Sequence, residues 1–206
     1  MIVYAESNFV LELAFEQEEF AACRDLAERA RRGQVSLGIP AIAFTEPYEK
    51  LWRNRSARNR LSQDLQNSVR DLKRSGQFAA RADDLLTKAT ALFTESNAAQ
   101  ERHLDDVLDN LCGIATILPS SRTAIVASRK VRLRTNCSVE DSLVAACVLE
   151  HASAVEGDKI LVSRDEAFSD DQIAKELAAN SVKHVFRFGD ALRIIDALLN
   201  KRPSPP

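Results

Sequence analysis

Glycine and proline are scarce, six of each in 206 residues, and a chain so poor in turn formers is not a loop-rich all-β protein. Neither GxxxxGK nor GxSxG occurs, which excludes a P-loop and the nucleophile elbow of serine hydrolases. A DxDx(T/V) motif is also missing, against a phosphatase-like enzyme with an aspartyl nucleophile. The four cysteines, Cys23, Cys112, Cys137 and Cys147, form no CxxC pair and no Cys/His metal spacing. Cys23 and Cys147 sit among alanines, where a thiol acts as a small hydrophobe, so the set reads as reduced and structural. His103, His151 and His184 are isolated in the sequence and read as incidental. No stretch approaches the roughly 20 apolar residues of a membrane span, and no basic-then-apolar leader opens the chain. The expectation is a cytoplasmic protein with no membrane contact.

What is present is an alternation of short apolar runs and helical stripes. MIVYA (1–5) suits a buried strand, and the stripe from Phe9 through Leu26 to Gly33 suits a helix closed by glycine. VSLGIP (35–40) is a second strand, followed by a helix that opens in AIAFTEPYEKLW (41–52). After a long interruption come a helix near 121–133, another after Ser138, the strand KILVS (159–163), a helix over 172–180, the strand VKHVFRF (182–188) and a closing helix over 190–199. Strand followed by helix, repeated, predicts an α/β fold with a central parallel sheet. The interruption, residues 56–111, contains no strand-like run and divides into three helical stripes, the last capped at Ser96 and ended by Gly113. It reads as a helical insertion. The tail KRPSPP (201–206) is expected to be disordered.

Carboxylates recur where strands give way to helices. Glu6 follows the first strand, Glu46 opens the helix after the second, Asp141 starts the apolar helix SVEDSLVAAC, and Asp165 lies just beyond KILVS. In a parallel sheet these places share one edge, where ligands bind. Each acid has a local alternative: Glu6 a helix-start acid, Glu46 a surface residue, Asp141 half of a capping box with Ser138, Asp165 a turn residue. Four together are a different matter, because packed carboxylates repel unless a cation neutralises them. Oxygen-only ligands suit Mg²⁺ or Mn²⁺, and such ions support attack on phosphodiesters.

These segments resemble the PIN-domain family, metal-dependent nucleases that include the VapC-type ribonuclease toxins. VYAESNFVLE matches its opening strand, acid, small hydroxyl residue and helix; IPAIAFTEPYE carries its glutamate; VEDSLVAAC its third acid; and LVSRDEAF its strand–Ser–x–Asp–x–x–Phe motif, with Ser163, Asp165 and Phe168 in register. One departure is Glu6, since the family's first acid is usually Asp. The resemblance implies a three-layer α/β/α fold spanning 1–200 as one domain with the helical insertion, and an endoribonuclease using Mg²⁺ or Mn²⁺. Glu6, Asp141 and Asp165 would be metal ligands and Glu46 a ligand or water-orienting base. Ser7, Asn8, Glu140 and Ser163 would support them, and Asp170 or Asp171 could supply compensating oxygens. It also implies a toxin's partners, an antitoxin protein and a second copy of the chain. The substitution at Glu6 keeps open a weakened or non-catalytic module that binds RNA or a protein.

Net charge is only −2, yet cations are clustered. KLWRNRSARNR (50–60) and SRTAIVASRKVRLR (121–134) each hold five basic residues and no acid. Such clusters attract a phosphate backbone irrespective of its sequence, which nominates Arg53, Arg55, Arg129 and Lys130 as RNA contacts, with Trp52 a stacking platform if it is exposed.

Overall fold

The computed structural model describes residues 1–135 and 137–200; the expected disordered tail lies outside them. The chain forms two compact units, Met1–Glu46 with the chain from Val107 on, and Pro47–Asp106.

The first unit holds a five-stranded, all-parallel sheet: β1 (Ile2–Ala5), β2 (Ser36–Pro40), β3 (Ala115–Leu118), β4 (Lys159–Val162) and β5 (Val182–Val185), in spatial order β3-β2-β1-β4-β5. The central strands are nearly continuous apolar runs, as strands covered on both faces must be: Val3, Tyr4 and Ala5 are buried, and so is all of β4. α1 (Ser7–Phe15), α2 (Phe20–Arg31) and α8 (Phe188–Leu199) pack together, while α5 (Arg122–Arg134), α6 (Val139–Ala154) and α7 (Asp171–Ala179) form a second group. This is the three-layer α/β/α arrangement expected from the sequence.

Several details differ from the sequence reading. The helix expected from Phe9 to Gly33 is two helices, broken where Glu16 adopts a left-handed conformation (φ 47°) and its N–H bonds the Glu12 carbonyl. The intervening EQEE offers no apolar anchor that would carry the first stripe through. β3 was not foreseen, because ATIL follows directly on a helix with no turn residue between them; it is the sheet edge, and Thr116 and Ile117 are exposed. The last strand ends at Val185, and α8 begins at Phe188. There the Glu19 side chain accepts a hydrogen bond from the Phe188 N–H (2.8 Å) and so serves as the cap.

At the N-terminal end of β4, buried Lys159 donates to the carbonyls of Ala152 (2.7 Å) and Asn180 (3.1 Å), at the C-termini of α6 and α7. A cation there satisfies carbonyls that no helical N–H can reach.

In the second unit, α3 (Thr45–Leu72) and α4 (Ala79–Ile114) run antiparallel: Tyr48 bonds Asp105, Arg58 bonds Asn97 and Gln100, and Lys73 pairs with Asp83 near the turn. The three stripes are therefore two helices. Ser96 caps nothing; it lies within α4, a helix with no glycine or proline between Phe78 and Cys112 to stop it.

Gly38 of β2 lies opposite Tyr4, and a Cβ built there would stand 2.9 Å from the Tyr4 ring. The ring cannot easily retreat, because Tyr4 is fully buried and its hydroxyl is 2.8 Å from His151 Nδ1. Gly38→Ala should therefore cost about 1–3 kcal/mol through overpacking. Denaturant unfolding checks this, and an unchanged midpoint would contradict it.

Candidate active site

β1 connects toward β2 on one side and β4 toward β5 on the other, so the strand order reverses between β1 and β4. Crevices at the carboxyl ends of strands flanking such a reversal are where doubly wound sheets bind ligands. The β1–β4 ladder ends with Ala5 opposite Val162, so the residues that follow, Glu6 and Ser163, emerge side by side.

Glu6 caps α1. Its Oε2 accepts from the Asn8 N–H at 3.0 Å and from the Ser7 hydroxyl at 2.9 Å. That is the local helix-start role of an acid, and it occupies one oxygen. The residue is only 4% exposed, and Oε1 is buried with no hydrogen-bond partner. Burial pushes the Glu6 carboxyl above the usual range, against the pull of the Asn8 N–H and the Ser7, Asn8 and Ser163 side chains.

Asp141 stands in the first turn of α6. The Ser138 hydroxyl accepts from its N–H (3.0 Å) and donates to its Oδ2 (2.7 Å). Burial raises its pKa first, with Ser138 opposing and the charges of Asp165 and Glu46 adding to the rise. Asp165 follows β4, donates its N–H to the Ser163 hydroxyl (3.0 Å) and accepts from the Ala167 N–H (2.8 Å). Ser163 is fully buried, and its carbonyl lies 3.1 Å from His184 Nε2. Glu46 opens α3.

Glu6, Glu46, Asp141 and Asp165, drawn from four distant stretches, line one pocket. Ser7, Asn8 and Glu140 line it as well; Ser163 supports it from beneath through Asp165. Glu140 is exposed where Asp141 is half-buried. Asp170 and Asp171 do not line it: Asp170 caps α7 through the Gln172 N–H (2.9 Å), and Asp171 is an exposed residue in that helix's first turn. Lys130 lines a different pocket, beside Glu150 and Ser153 of α6. Arg129, Arg53 and Arg55 are exposed.

The donor chemistry fits a hard divalent cation. All four acids offer oxygen, and one buried oxygen has no other answer. Among the described residues no three such side chains stand close enough to hold one ion together. Mg²⁺ does not require that, since it commonly keeps several waters and takes one or two carboxylates.

The sequence reading missed the support beneath this pocket. Glu12, 1% exposed, accepts from the Arg164 guanidinium (2.8 Å) and from the Glu19 N–H (2.8 Å). Arg164 lies between Ser163 and Asp165, and Glu12 is on the helix that Glu6 caps, so the ion pair ties the two acid-bearing segments together. An acid at a buried position of the stripe NFVLELAF was the available signal. His184, read as incidental, carries the Ser163 carbonyl.

Sheet, layers and acidic pocket together define an α/β domain built to hold charge at its switch point. A family model of the PIN domain matches residues 3–168, four-fifths of the chain, and the protein belongs to the PIN-domain family. No curated protein and no solved structure matches it. PIN domains are generally nucleases, act on nucleic acid and generally use divalent metals. Among the described residues no helix is long and apolar enough to cross a membrane.

The raised Glu6 pKa makes a signed prediction for the metal-free protein. Folding holds the Glu6 proton more tightly than the unfolded chain does, so stability falls as pH rises from the ordinary carboxylate range through the raised value. Glu6→Gln, which cannot ionise, should be more stable than the parent at neutral pH, with the gap closing toward pH ~4. Thermal melts in EDTA across that range check it; a variant less stable throughout, or a gap independent of pH, would contradict it.

Proposed function

We propose that this protein is a Mg²⁺- or Mn²⁺-dependent endoribonuclease that hydrolyses RNA phosphodiester bonds at the four-carboxylate pocket. The observation that carries this reading is the buried Glu6 Oε1, without a partner in a pocket shared with three further acids. Glu6, Asp141 and Asp165 would hold the ion, one or two of them directly and the rest through its bound waters, with Glu46 a further ligand or the base that orients water and accepts its proton. When bound, the ion supplies charge stabilisation at the phosphoryl oxygens and lowers the pKa of water. Ser138 fixes the Asp141 carboxylate, Ser7 and the Asn8 N–H fix one Glu6 oxygen, and Ser163 fixes the Asp165 backbone, so that three acids are oriented before substrate arrives. The motifs' resemblance to the toxin branch extends the proposal to a cytoplasmic toxin with an antitoxin partner and a homodimeric state.

A second reading has its own support. Glutamate replaces the usual aspartate, and no three acids stand close enough to hold one ion together among the described residues. These favour a weakened or non-catalytic PIN module that binds RNA or a protein.

Calorimetric titration with Mn²⁺ separates the two. The nuclease reading expects saturable binding that Asp141→Asn weakens at least roughly tenfold, and cleavage of total RNA that EDTA abolishes. Absence of Mn²⁺ binding, or cleavage indifferent to EDTA, contradicts it.

A further inference from the structure

Trp52 is the chain's one tryptophan and is 69% exposed on α3. An indole that gains so little from packing is a surface to be used. Over 51–69 the less exposed positions are Leu51, Asn54, Ser56, Arg58, Ser62, Leu65 and Val69; all but Ser56 fall on one face, and Arg58 bonds Asn97 and Gln100 of α4. That sets the rotation of the helix. At about 100° per residue, Trp52 then lies on the solvent arc with Arg55 on one flank and Arg53 and Arg60 on the other, and all three arginines are exposed.

Farther along the same helical pair the cations are of two kinds. Lys73, Arg74 and Lys88 are each paired with an aspartate, Asp83, Asp71 and Asp84, whereas among the described residues Arg70, Arg81 and Arg102 pair with no acid. Among the described residues Arg53, Arg55 and Arg60 pair with no acid, and residues 50–60 contain none. Guanidinium groups left without counter-charges around an exposed aromatic ring match what a single-stranded nucleic acid offers: phosphates at intervals and bases with open faces. A duplex would satisfy the arginines but not the indole, since its base faces are already stacked.

We propose that this arc of α3 is a docking site for single-stranded RNA, with phosphates on Arg53, Arg55 and Arg60 and a base stacked on Trp52. That the strand is RNA rests on the nuclease reading; that it is single-stranded rests on the exposed indole.

Because Trp52 is the sole tryptophan, its fluorescence reports on this surface alone. In EDTA, a twelve-nucleotide oligouridylate should quench it saturably, and affinity should fall with salt at a log–log slope of about −2, three single-strand phosphate contacts at about −0.7 each. Arg53→Glu with Arg55→Glu should lower the affinity of the full-length protein at least tenfold, and the milder Arg53→Gln with Arg55→Gln should lower it in the same direction. Trp52→Ala, followed by anisotropy of labelled RNA, should weaken binding about five- to a hundredfold. No quenching, equal quenching by duplex RNA, or arginine variants that bind within twofold of the parent would overturn the proposal. Since EDTA removes any metal, intact quenching without cleavage on metal addition overturns the nuclease reading alone. Metal-dependent cleavage with unchanged affinity in the arginine variants overturns this inference alone.

Discussion

One buried oxygen sets the character of the acidic pocket in this molecule. Leaving a polar atom in the interior without a partner costs about 1–3 kcal/mol, more when it carries charge. Glu6 meets half of its requirement as a helix cap, where the Asn8 N–H and the α1 dipole favour a carboxylate. The other half is unmet within the protein. Three further acids line the same pocket, and the Ser7, Asn8 and Ser163 side chains offset only part of the cost of burying the Glu6 charge, so a cation is the partner proposed for it.

The fold makes that arrangement possible through the reversal between β1 and β4. Adjacent strands that diverge in their connections bring Glu6 and Ser163 out side by side, and the Arg164–Glu12 ion pair then fastens the β4 loop to α1. Glu12 is the buried partner and Arg164 is partly exposed, so loss of Arg164 would strand the Glu12 charge, and the clamp holds the two acid-bearing segments together. The Ser138 hydroxyl does for Asp141 what Ser7 does for Glu6: each pins one carboxylate oxygen by a short hydrogen bond. Local capping and site construction are thus the same contacts, and a helix-cap reading of these residues does not compete with a functional one.

This explains which features were legible in the sequence. Buried parallel strands announce themselves as apolar runs, and acids after them mark the sheet edge, so MIVYA, KILVS and the four carboxylates could be read directly. β3 could not, because an edge strand with two exposed residues carries little apolar signal and no turn precedes it. The break at Glu16 was hidden because a non-glycine residue adopts the left-handed conformation there. Asp170 and Asp171 were close to the motif in sequence but are used at the start of α7, a distinction that depends on where the 3₁₀ turn at Glu166–Ser169 sends the chain. Arg164 and Glu12 are 152 residues apart in sequence, and no local pattern pairs them. Nor does spacing reveal that the three stripes between 56 and 111 join into two long helices.

The central claim, that a divalent cation completes the environment of Glu6, is tested most directly by anomalous scattering from crystals grown with Mn²⁺. The account predicts a peak in the pocket, touching Glu6 Oε1 at roughly the 2 Å typical of small divalent ions and flanked by Asp141 or Asp165. A well-ordered pocket containing only water at saturating Mn²⁺, or a peak held by other residues with Oε1 still unpartnered, would contradict it.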